Sequence, residues 1–230
     1  MLAPVVLRVL FVGDSFTYFN NLPRMVEAIA AATPGTRLRC ERATHSSWNL
    51  DHHWRAGDAL ARLRSFHPQV VVLQEEGTLP ISNPARFQAA ARRFATAIRA
   101  ADARPLLLMT WAERTKPWAQ APLSDATRRI GRALHVAVVP AGDAWRLWRS
   151  APNAPDLTVA DGIHPNLRGS YLTALVVLGA LRGRLPTAPP TDFGDALGVH
   201  HPDGRAPFTS RIDPAELSRL LATARRTLGE

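Results

Sequence analysis

Cysteine is almost absent. Cys40 stands alone among 230 residues, which rules out an intramolecular disulfide and any thiolate metal cluster. Lysine is as scarce, with Lys116 the sole example, so the basic character of the chain rests on arginine. No apolar run approaches the roughly 18 residues that a membrane span requires. The first dozen residues lack the basic start and small-residue cleavage site of a secretory signal, so a cytoplasmic location is expected unless an export signal lies outside this sequence. Internal repeats, nucleic-acid-binding motifs and an aromatic stacking platform for bases are also missing. The excess of 28 basic over 19 acidic side chains gives a net charge of +9. The arginines, however, are scattered along predicted helices (Arg92, Arg93, Arg99, Arg128, Arg129, Arg132). A solvated surface is therefore expected rather than a nucleic-acid partner.

What is present is ample material for a core, since 46% of the residues are hydrophobic. One domain is expected over 1–230, with a core over about 5–185 and a distinct tail over 186–230. Residues 5–12 form an apolar, β-branched run that reads as a strand buried on both faces, and it stops abruptly at Gly13-Asp14-Ser15. Further strands are predicted at 36–43, 68–74, 105–111 and 136–140. Helices are predicted from Leu22-Pro23, through Leu60 and Leu63, from the Asn83 cap and Pro84, and over 124–134, 142–149 and 167–181. The helix after Asn83 carries an apolar stripe of Phe87, Ala91, Phe94 and Ile98. Residues 44–54 read as a polar and aromatic loop. Residues 186–208 read as an irregular surface segment, followed by a helix that opens at Asp213 with Glu216 in its first turn. Its stripe of Leu217, Leu220, Leu221 and Leu228 is expected to cover the sheet edge. Alternating strands and helices predict a three-layer α/β/α sandwich around a parallel five-stranded sheet of flavodoxin type.

In such a fold the carboxyl ends of the strands share one edge, where ligands bind. That topology gathers Ser15, the loop at Ser46–Trp48, Gln74, Trp111 and the segment after strand five. A serine hydroxyl becomes a nucleophile when an imidazole takes its proton, and a carboxylate can orient that imidazole. Asp161 and His164, three residues apart before a helix, supply the pair; singly, each also reads as an ordinary turn residue. Donors for an oxyanion are available from the Ser15 backbone, from the backbone of the Ser46-Ser47 loop and from the Gln74 amide. Gln74 reads equally as a partner for loop carbonyls. His45, Asp51, His52 and His53 lack metal-site spacing and are expected to be structural or pocket-lining, as are His200 and His201. The tryptophans are read first as packing residues, with Trp48 and Trp111 placed to touch a substrate. Asp14 and Glu75 are further substrate-side candidates, although loop carboxylates such as Glu75 and Glu76 are by default solvated.

The strings Val12-Gly13-Asp14-Ser15-Phe16-Thr17, Val72-Leu73-Gln74-Glu75 and Asp161-Gly162-Ile163-His164-Pro165-Asn166 resemble the SGNH (GDSL-type) hydrolase superfamily. These strings, together with His53-Trp54 and Gly169-Ser170-Tyr171-Leu172, are similar to a poorly characterised bacterial branch of it. The resemblance runs from about Val5 to Leu185. It implies Ser15 as nucleophile and oxyanion donor, His164 as general base and Asp161 as its orienter, with no metal or organic cofactor. The family's usual glycine and asparagine in the oxyanion hole are replaced here by Ser47 and Gln74. The implied activity is hydrolysis of O-acyl esters, acetylated carbohydrates or other small esters, through an acyl-serine intermediate. An acyltransferase on the same site and an inactive carbohydrate-binding homologue fit the same strings.

Overall fold

A computed structural model describes residues 6–33, 35, 37–197 and 211–230. Along the chain come β1 (Val6–Gly13), α1 (Ser15–Tyr18), α2 (Leu22–Ala31), β2 (Arg37–Thr44), α3 (Leu50–Ala56), α4 (Asp58–Phe66) and β3 (Val70–Gln74). They are followed by α5 (Leu79–Ser82), α6 (Pro84–Ala100), β4 (Arg104–Leu108), α7 (Gln120–Leu134), β5 (Ala137–Val139), α8 (Ala141–Arg149), α9 (Leu167–Arg182) and α10 (Pro214–Leu228). All strand pairs are parallel, and the order is β2-β1-β3-β4-β5. This is the flavodoxin-type order. The chain leaves β1 toward β2 and returns to β3 on the other side, so a crevice opens where β1 and β3 end.

Alternation along the strands splits the core into two layers. Val9, Phe11, Val70, Val72, Leu106 and Leu108 pack with α2, α8, α9 and α10 on one face. Leu10, Val12, Val71, Leu73 and Leu107 face α4 and α6 on the other. Both faces of β1 and β3 are apolar because both are covered, which is why these strands lack polar alternation. Cys40 is buried in β2 as a free thiol.

Several boundaries differ from expectation for local reasons. The region read as a loop up to Trp54 contains α3, whose Asn49 cap accepts from the His52 N–H at 3.0 Å. Gly57 separates α3 from α4. Strand β4 ends at Leu108 rather than at residue 111, since both neighbouring strands end opposite it, β3 at Gln74 and β5 at Val139. Helix α7 starts at Gln120, a turn earlier than expected. Asp213 caps α10 through the N–H groups of Ala215 and Glu216. The Glu216 side chain, however, binds Arg168 of α9. Helix α10 lies across α8 and α9, so it extends a helical layer and does not cover the sheet edge. His200, His201 and most of the irregular segment lie outside the described residues. No helix among the described residues is long and apolar enough to cross a membrane.

Candidate active site

The strand β1 delivers Ser15 to the crevice through a tightly bonded turn. Asp14 Oδ1 accepts from the Phe16 N–H at 2.9 Å and so caps α1. From the neighbouring strand end, Gln74 Oε1 accepts from the Asp14 N–H at 2.9 Å and from the Thr17 hydroxyl at 2.8 Å. Gln74 Nε2 donates to Asp14 Oδ1 and to the Glu75 carbonyl, each at 2.8 Å. The glutamine amide thus runs directly beneath the turn. A Cβ at position 13 would lie 2.3 Å from Gln74 Oε1, so only glycine admits this approach.

A second turn, between α8 and α9, brings Asp161 and His164 to the same place. Gly162 has φ +73°, a left-handed conformation suited to glycine. The turn is held from three sides. Arg114 donates its N–H to the Gly162 carbonyl at 2.8 Å. Trp111 Nε1 donates to the Ile163 carbonyl at 3.1 Å. Asn20 Nδ2 donates to the Pro165 carbonyl at 3.0 Å and to Ser170 Oγ at 2.8 Å. Phe19 stacks on the His164 ring at 4.4 Å, fixing its plane.

The result is a continuous relay. His164 Nε2 lies 2.9 Å from Ser15 Oγ, and His164 Nδ1 lies 2.7 Å from Asp161 Oδ2. Asp161 Oδ1 accepts from the N–H groups of Ile163 and His164 at 2.8 and 2.9 Å. Partial burial pushes the Asp161 carboxyl up, but the His164 ring and these two N–H groups outweigh it and hold the carboxyl below the usual range. Such a carboxylate stays charged and directs the ring so that Nε2 faces the serine.

Ser15, Ser47 and His164 border a cavity of about 310 Å³. Phe16, Ile81, Leu123 and Ile163 give it apolar walls, and Glu76, Glu113 and Lys116 line it as well. Ser47 adopts φ +58°, the left-handed conformation that a glycine would take without strain. Neither the Ser15 nor the Ser47 N–H has a hydrogen-bond partner among the described residues.

Gln74, expected to offer its amide to an oxyanion, does not. Both of its amide hydrogens are committed within the turn, and the residue is fully buried. Glu75 is not a solvated or substrate-facing carboxylate: it is buried, and its Oε1 accepts from the N–H groups of Leu50 and Glu76. Burial pushes it up to about 8. Asp14 borders the cavity, but its Oδ1 serves the turn, and burial raises it to about 6. Trp48 does not border the cavity; it stacks on His45 at 4.0 Å. Trp111 does border it, yet is buried in a stack between Phe16 at 4.6 Å and Trp145 at 4.1 Å. Asp51 turns away toward Arg55, Arg86 and Arg93. Asn20 and Arg114 were missed as supports. Asn20 sits with Asn21 in a polar Asn-Asn turn after α1, a signal that could have flagged it.

No protein-family model and no curated protein matches the chain. Solved structures do. A DUF4886 family protein from Bacteroides uniformis matches with a TM-score of 0.76 at 16% identity, covering 97% of this chain and 95% of that one. A protein from Slackia heliotrinireducens assigned to the SGNH hydrolases matches with a TM-score of 0.65 at 21% identity, covering 77% and 100%. The lipase/acylhydrolase from Enterococcus faecalis matches with a TM-score of 0.60 at 18% identity, covering 79% and 99%. The chain therefore has the fold of the SGNH (GDSL-type) hydrolases.

Proposed function

We propose that the protein is a serine hydrolase of O-acyl esters, acting on small esters such as acetylated carbohydrates. The observation that carries this reading is the unbroken relay from Ser15 through His164 to Asp161 at the border of a cavity. Ser15 Oγ attacks the ester carbonyl carbon while His164 Nε2 takes the hydroxyl proton. The oxyanion that forms is met by the N–H groups of Ser15 and Ser47. Collapse of the tetrahedral intermediate breaks the bond to the alkoxy oxygen, which leaves with the proton from His164. Water, deprotonated by the same imidazole, then releases the acid and restores the serine.

The apolar walls suit the acyl portion of the ester, and Glu76, Glu113 and Lys116 offer polar contacts to the alcohol. The intact relay counts against a purely binding role. The test is hydrolysis of p-nitrophenyl acetate and a panel of acetylated sugars by the intact protein and by Ser15→Ala, matched by circular dichroism. A loss of roughly 10³-fold or more in kcat is expected for the variant. Equal rates for both proteins on every ester would overturn the reading.

A further inference from the structure

Beneath the nucleophile turn lies a second histidine–carboxylate pair that the chemistry above does not use. His53 is fully buried on α3. Its Nε2 lies 2.9 Å from the Gly13 carbonyl oxygen, and its Nδ1 lies 3.1 Å from Asp58 Oδ1. The carbonyl can only accept, so Nε2 donates to it. Asp58 stands in the first turn of α4, where the helix favours a negative charge, and its carboxylate lies against Nδ1. The other carboxylate oxygen, Asp58 Oδ2, lies 3.1 Å from His45 Nε2. The His45 N–H itself donates to the Gly13 carbonyl at 3.3 Å, and Ser47 is two residues further on. Trp48 closes the cluster, stacked on His45 and edge-on to His53 at 5.1 Å.

One carboxylate thus holds two segments at once. Through His53 it holds the carbonyl that precedes Asp14 and Ser15; through His45 it holds the loop that presents Ser47. We propose that Asp58 and His53 are positioning residues that fix the Ser15 turn relative to the Ser47 loop, and so fix the spacing of the two N–H donors. The proposal rests on the hydrolase reading for its kinetic consequence, though the bracing itself does not. A displacement of about 1 Å in such a frame is enough to cost roughly 100-fold in rate. Substrate contacts in the cavity are untouched, so the loss belongs to kcat.

The test compares His53→Ala, Asp58→Ala, His53→Gln and Asp58→Asn with the unaltered chain. Measured are kcat and KM for p-nitrophenyl acetate, thermal melting, and amide hydrogen exchange over 12–18 and 44–49. The alanine variants are expected to lose about 10- to 100-fold in kcat with KM changed by less than about twofold. They should also exchange faster in both segments, but not in α6 or α9. His53→Gln, which keeps an amide donor for the Gly13 carbonyl, and Asp58→Asn, which keeps an acceptor for His53, should recover part of the loss and remain folded if the alanine variants do not. Lower melting with unchanged kcat per folded molecule would overturn the proposal, and so would unaltered exchange in the two segments. An unaltered chain that hydrolyses no ester would sink the hydrolase reading instead, while the exchange measurement would still decide the brace.

Discussion

Glu75 shows how far a single side chain can depart from its default. An acidic residue after an apolar strand is ordinarily solvated, yet here burial raises it to about 8, with the N–H bonds from Glu76 and Leu50 pulling the other way. The unfolded chain releases this proton near the ordinary glutamate value, whereas the folded chain keeps it to about pH 8. Between those limits the folded state binds more protons, so stability falls as pH rises from about 4.5 to about 8 and then levels off. Asp14, raised to about 6, adds a loss of the same sign over a lower window. Glu75→Gln keeps an oxygen for Leu50 and Glu76 without the charge. Urea unfolding should find the variant more stable than the parent above pH 8, by a few kcal/mol in order of magnitude, with the gap closing below pH 5. A parallel pH dependence in both proteins would show that Glu75 is ionised in the fold.

At the scale of elements, β1 and its turn are set by close contact rather than by propensity. Gly13→Ala forces a methyl against Gln74 Oε1 and Thr17 Oγ1, which would lie 2.3 and 2.9 Å away. Relief requires moving Gln74, whose amide holds Asp14 and Thr17. A cost of about 1–3 kcal/mol is expected, seen as a melting temperature lowered by roughly 2–4 °C for each kcal/mol. An unchanged melt would mean that the turn adapts freely. The same turn divides what the sequence discloses from what it hides. The apolar run, Gly13, and the three-residue spacing of Asp161 and His164 announced both the sheet edge and the relay, because each signal is local. The fate of Gln74 was not local: an amide at a strand end serves an oxyanion or a backbone turn equally well, and only its rotamer decides. His53 was hidden in a His-His pair read as loop. Recognising the Asn49 cap would have started a helix at Leu50, and Leu50, His53 and Trp54 then share one face at helical spacing.

For the whole molecule, the chief surprise is α10. The stripe Leu217, Leu220, Leu221 was legible as a buried face, but sequence pattern names no partner for it, and the partner proved to be α8 and α9 rather than an edge strand. Burying three leucines contributes roughly 1.5–3 kcal/mol each as an upper estimate, comparable with the whole stability of an ordinary domain. A chain ending before residue 211 should therefore lose cooperative thermal unfolding and bind a hydrophobic dye. Retention of a sharp melt at the parental temperature would show that α10 is dispensable. The tail helix is in this respect part of the core, through Leu217, Leu220, Leu221 and Ala224.

The stack of Phe16, Trp111 and Trp145 has an optical consequence. Trp111 and Trp145 lie 4.1 Å apart with their planes 5° from parallel. Indole transitions held so close couple, and the coupling depends steeply on their mutual angle. Phe16, next to the reactive serine in the chain, forms the end of that stack. Movement of the turn at Ser15 is therefore expected to alter the near-ultraviolet dichroism of this pair, and an unchanged spectrum on acylation of Ser15 would show that the stack does not follow it.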